Sequence, residues 1–115
     1  MRRLWLCVLL LWSAAFAGYA QGVLAVPALS GHVVDTTATL DASQRQALES
    51  KLAAFEAAHG AQVVVVLVST TQPEDIASFA NRVGNTWKIG RKAVGDGVLL
   101  VVAKNDRKLR IEVAK

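Results

Sequence analysis

The sequence predicts an α/β fold built on a mixed, mostly parallel sheet. Three observations carry that prediction. Gln62 to Val68 and Val98 to Val102 are short, continuous, β-branched-rich apolar runs, the pattern of strands buried on both faces. Between them Ile76, Phe79, Ala80, Val83 and Trp87 fall at i, i+3, i+4, i+7 and i+11, a single apolar stripe on one helix. After them Leu109 to Val113 alternates strictly between apolar and polar residues. The strand-helix-strand unit makes a parallel centre, and the tight turn at Lys104 to Lys108 adds one antiparallel strand.

The N-terminus reads as a targeting segment. Arg2 and Arg3 precede an apolar run from Leu4 to Phe16, and Ala15, Ala17, Gly18 and Ala20 place small residues where a signal peptidase reads. The run is shorter than the ~20 residues a spanning helix needs. Residues 1–20 are therefore expected to be a cleaved signal peptide. The rival is a retained anchor running on through Val23 to Val26, which Gln21 and Gly22 weaken. Cleavage removes Cys7, the one cysteine, so the exported domain is expected to be held by its apolar core without a disulfide.

Residues 21–31 read as an extended linker, since Pro27 disfavours helix at Val26. Val33 and Val34 are expected to pair briefly as a strand or pack as an extended arm. Asp35, Thr36 and Thr37 then form a turn whose side chains bond nearby backbone. Asp41 with Gln44 three residues on makes a capping box, contributing ~1 kcal/mol to a helix that runs to about Ala58 and stops at Gly60. Leu48, Leu52 and Phe55 are expected to face the core, with Arg45, Glu49, Lys51 and Glu56 in solvent. Pro73 suits the first turn of the next helix, and Glu74 and Asp75 suit its positive end. Gly84 interrupts that helix at a cost of ~1 kcal/mol, explained if a small residue lets the helix approach the sheet. Gly90 is its expected stop. Arg91 to Asp96 is a basic loop leading into the second apolar strand.

The 115 residues make one small domain, residues 32–115. The formal charge is +4, about +2 once Arg2 and Arg3 are set aside, too little to argue for nucleic acid. The distribution is uneven. From Gly22 to Asn81 there are two bases against six acids, whereas the remainder is rich in lysine and arginine. Such a half can approach anionic lipid or phosphate, although a solvated face explains it as well.

No complete catalytic motif is present. His32 and His59 stand apart, without the i, i+4 histidine pair of a zinc helix. Gly95-Asp96-Gly97 precedes a strand, whereas phosphate-cradling glycine loops follow one and open a helix. Ser69, Thr70 and Thr71 have no evident base in sequence and read as a strand-end turn. Asp35 and Asp96, each in a turn, are the candidate metal ligands, because oxygen-rich turns suit a hard cation such as calcium. The alternative is two turn-forming aspartates.

Several segments together resemble the TPM domain family, which includes bacterial envelope proteins of the YgcG-like type and thylakoid lumen proteins. They are Val33 to Leu40 before a capped helix, Ala61 to Val66, Trp87 to Lys92, Asp96 to Ala103 and Asp106 to Glu112. The resemblance implies a three-layer sandwich, a central sheet between helices, in an exported, periplasmic or membrane-associated domain. It also implies an acidic cluster near the sheet edge, matched here by Asp35 and Asp96. Members of the family are described as acid phosphatases, calcium binders or helpers in assembling membrane complexes. Two departures stand out: Gly95 occupies a position where relatives often carry a second acid, and the family pattern continues past Val113. The sandwich is accordingly expected to be incomplete at its C-terminus, with a sheet face or edge uncovered and modest stability. The expected role is a non-catalytic interaction or assembly module at the cell envelope, with an envelope or membrane protein partner and a calcium-type cation. The alternative is a metal-dependent acid phosphatase, with Asp35 and Asp96 on the metal and Arg91 or Lys92 meeting phosphate.

Overall fold

The computed structural model describes residues 22–90 and 96–114. The elements follow the chain as β1 (Val33–Asp35), α1 (Ala42–His59), β2 (Gln62–Val68), α2 (Ile76–Trp87), β3 (Gly97–Ala103) and β4 (Lys108–Val113). They form an open, mixed, mostly parallel four-stranded sheet in the order β1-β2-β3-β4. β1 is parallel to β2 and β2 to β3, whereas β4 returns antiparallel to β3. The expected signal peptide and the loop bases Arg91 and Lys92 lie outside the described residues.

The core lies on one face of the sheet. Side chains alternate along a strand, and Val34, Val64, Val66, Leu99 and Val101 all point towards α2. There they meet Phe79, Ala80 and Val83, the fully buried part of the stripe legible in the sequence. Ile76 and Trp87 flank them, partly buried. Burying each large apolar side chain contributes about 1.5–3 kcal/mol, so this face supplies most of the stability. The segment before β1 is docked, not a free linker. Val26 packs on the core, the Trp87 indole donates to the Pro27 carbonyl at 2.8 Å, and the Arg82 guanidinium donates to the Leu24 carbonyl.

The other face is covered on one side only. α1 packs on β1 and β2, so Val33, Val65 and Leu67 are buried. β3 therefore departs from the expectation of a strand buried on both faces: Leu99 and Val101 are buried, but Val98, Leu100 and Val102 are only half-buried. α1 itself carries no fully buried residue. Leu48 and Leu52 are half-buried, and Phe55 is exposed, its ring tilted against His59 with ring centroids 4.6 Å apart. The physical reason is that β1 has three residues and offers the helix little sheet to cover.

The helix ends refine the sequence reading. The Asp41–Gln44 capping box is formed, and Gly60 closes α1 with φ of 77°. α2 starts later than expected. Asp75 caps it at Ser78, Pro73 lies outside it after a cis peptide bond, and Glu74 pairs with Arg82 at 2.9 Å. The left-handed stop falls on Lys88, at φ 52°, and not on Gly90. Gly90 serves a different purpose. A Cβ added there would sit 2.9 Å from the Gly97 amide nitrogen, and one added at Gly97 would sit 2.6 Å from the Gly90 nitrogen. Two backbones touch where β3 begins. Gly84, by contrast, has nothing within 4 Å of an added Cβ, so close approach to the sheet does not explain it.

Candidate functional site

In open α/β sheets, ligands bind beyond the carboxyl ends of the parallel strands. Here that edge is built from the turns after β1, β2 and β3. Asp35 ends β1 and organises its own turn: one carboxylate oxygen accepts from the Thr37 amide at 3.0 Å and the Thr37 hydroxyl at 2.7 Å, the other from the Leu40 amide at 2.8 Å. Partial burial pushes the Asp35 carboxyl up, but the hydrogen bonds from Leu40 and Thr37 outweigh it and hold the group below its ordinary range. Thr36 donates from both its amide and its hydroxyl to the Leu67 carbonyl, which pins this turn to β2.

The turn after β2 is tied to the β3–β4 hairpin. The Thr70 hydroxyl donates to the Asp106 carboxylate at 2.8 and 2.9 Å, and the Thr71 amide donates to the same group at 3.1 Å. The Lys104 and Asn105 amides extend the ladder to the carbonyls of Val68 and Ser69. Thr70 thus has a carboxylate partner 36 residues away in sequence, a contact that no local pattern announces. Asp35 and Asp106 are thus both engaged in holding loops.

Asp35 and Asp96 are not brought together. Asp35 lies beside Leu67, whereas Gly97, the residue after Asp96, lies beside Gln62. At ~3.3 Å per residue those registers are about 16 Å apart along β2. Two ligands of one calcium ion stand within ~5 Å of each other, since each is 2.3–2.6 Å from the metal. The pair therefore does not fit a shared ion. Asp96 is at the amino end of β3, where its carbonyl accepts from the Gln62 amide at 3.1 Å. Among the described residues no group of three or more histidine, cysteine, aspartate or glutamate side chains is arranged to hold a metal.

Beside β1 is a cleft of about 330 Å³, lined in part by Ser30, Asp35, Arg45, Gln46 and Glu49. Glu49, expected in solvent, turns inward. It accepts from the His32 and Val33 amides at 3.0 and 2.8 Å and meets the His32 ring at 2.8 Å. Glu56, one face-repeat further along α1, meets the other ring nitrogen at 3.1 Å. The spacing of 49 and 56 on one helix face was visible in the sequence; that His32 stands opposite both was not.

The remaining feature is apolar. Val98, Leu100 and Val102 of β3 stand beside Val113, Ile111 and Leu109 of β4, and cross-strand partners share a face. Leu109, Ile111 and Val113 are 60%, 58% and 56% exposed. No described element covers this half of the sheet. The opposite face of β4 is charged, with Arg110 bonded to Glu112 at 3.2 Å. No helix among the described residues is long and apolar enough to cross a membrane.

The sequence pattern of the TPM domain matches residues 33–115. Among solved structures, the chain is similar to the N-terminal domain of a protein from P. gingivalis. That match has 23% identity and a TM-score of 0.69, over 77% of this chain and 60% of the other. It is also similar to the N-terminal domain of the cg2496 protein from Corynebacterium glutamicum. There the identity is 17% and the TM-score 0.63, over 81% of this chain and 61% of the other. The chain thus spans about three fifths of the length of these structures, and at such identities the likeness concerns the fold alone. No curated protein matches it significantly.

Proposed function

The chain belongs to the TPM domain family, and we propose that it acts as a non-catalytic interaction module, exported to the cell envelope, where it docks a protein partner. The observation that carries this reading is the aliphatic sheet face of β3 and β4, three of whose six side chains are more than half exposed. Contiguous apolar surface of this kind marks interaction sites. Because the reverse face of β4 carries Arg110 and Glu112, a partner meets apolar surface from one side only. The occupant is the apolar stripe of an envelope protein's amphipathic helix, the element that closes a sheet face in layered folds. Export rests on the Arg2-Arg3 and Leu4 to Phe16 pattern.

The phosphatase reading is less favoured, because Asp35 and Asp96 lie too far apart to hold one ion and Asp106 is occupied with Thr70 and Thr71. The test is fractionation of the producing cell. Wild type is expected to co-sediment with an envelope complex, and Ile111→Asp to sediment as free, folded protein. Free sedimentation of both would overturn the proposal. So would hydrolysis of a generic phosphomonoester that is lost in Asp35→Asn.

A further inference from the structure

The edge strand β1 is short, and its outer side is held by one cluster. Glu49 receives the His32 and Val33 amides, as a neighbouring strand would. His32 then lies between two carboxylates, with Nδ1 2.8 Å from Glu49 and Nε2 3.1 Å from Glu56. A neutral imidazole has one N–H and one lone pair; only the imidazolium donates from both nitrogens. The arrangement is therefore satisfied in one protonation state. When His32 is neutral, one nitrogen presents a lone pair to a carboxylate oxygen, and that contact must open.

We propose that His32, Glu49 and Glu56 form a proton-operated latch that fastens β1 to α1 in mildly acidic water and loosens it as the pH rises. Glu49 is anchored by two backbone amides, whereas Glu56 is anchored by the ring alone and its side chain is 41% exposed. Glu56 is thus the contact that lets go. Release frees the second half of α1, which has no fully buried residue to hold it, and widens the cleft beside β1.

The surrounding charges are few. From α1, Arg45 and Glu49 line the cleft and Glu56 lies beyond them; Asp35 stands at the far end of β1; residues 22–31 and β2 carry no charged side chain. The titration direction agrees with the geometry. The hydrogen bond to Glu49 raises the His32 pKa from its ordinary 6.5, against burial and with help from Glu56. Burial pushes Glu49 up, but its hydrogen bonds from His32 and Val33 outweigh this and hold it below its ordinary 4.5. A raised histidine contributes stability that is complete below 6.5 and lost as pH rises through the folded value. A depressed carboxylate contributes stability that is lost as pH falls through its own folded value. The latch is closed between the two.

The test is NMR on the whole chain. In wild type, the His32 ring is expected to titrate above the ordinary histidine range. Amide protection in the second half of α1, corrected for intrinsic exchange, is expected to fall severalfold between about pH 5.5 and about pH 8. Glu56→Gln keeps the fold, lowers the His32 midpoint and flattens that pH dependence. His32→Gln removes the dependence entirely. An unchanged His32 midpoint in Glu56→Gln, or protection in the second half of α1 that is independent of pH in wild type, would overturn the latch.

Discussion

Two truncations on neighbouring strands separate a sheet covered on both faces from one that is half open. Leu99 is 1% exposed and sits against α2, whereas Ile111 is 58% exposed on the opposite face. Leu99→Ala removes buried methyl groups from a packed core, which costs about 2–5 kcal/mol. Ile111→Ala removes a side chain less than half withdrawn from water. Scaling a full burial of about 1.5–3 kcal/mol by that fraction leaves about 1 kcal/mol. At about 4–8 °C per kcal/mol for a domain of this size, Leu99→Ala lowers Tm by about 8 °C or more and Ile111→Ala by about 4–8 °C. Urea unfolding of both variants gives the comparison directly, with unchanged m-values certifying that stability and not compactness has moved. Equal losses in the two variants would mean that something covers Ile111, and the half-open sheet would be wrong.

The glycines make a second contrast: Gly84→Ala meets open space and should stabilise the protein by about 1 kcal/mol, whereas Gly97→Ala forces two backbones apart and should cost about 1–3 kcal/mol, both measured by thermal unfolding. A calcium titration followed by amide shifts should never move Asp35 and Asp96 with one shared midpoint. Coincident saturation, abolished at both positions by Asp35→Asn, would show that they do share an ion.

Much of this fold is legible in local chemistry. Four consecutive valines in β2 cannot form an exposed segment, the stripe from Ile76 to Trp87 has one period, and Asp41 with Gln44 announces a helix start. What the sequence hides depends on contacts across long separations. Glu49 on a helix surface is indistinguishable from a solvated glutamate until His32, 17 residues earlier in sequence, is placed beside it in space. Thr70 looks like a turn residue until Asp106 arrives from the β3–β4 hairpin. Continuous apolarity in β3 reads as burial on both faces, yet one face is only half withdrawn from water. Apolar composition records what a strand is able to cover, and the arrangement of helices decides which half is covered. The pairing of Asp35 with Asp96 fails for a related reason. Both sit in turns, but successive turns of a parallel sheet fall at opposite ends of its strands.

The claim that this face docks an envelope protein is tested most directly by a photo-crosslinking residue placed at Ile111 in the producing cell, with one at Arg110 as its comparison. The two positions are adjacent on β4 and point to opposite faces. One defined crosslinked envelope protein is expected from position 111 and none from position 110. A crosslink from 111 within the same chain or to a second copy, or equal crosslinking from both positions, would contradict it.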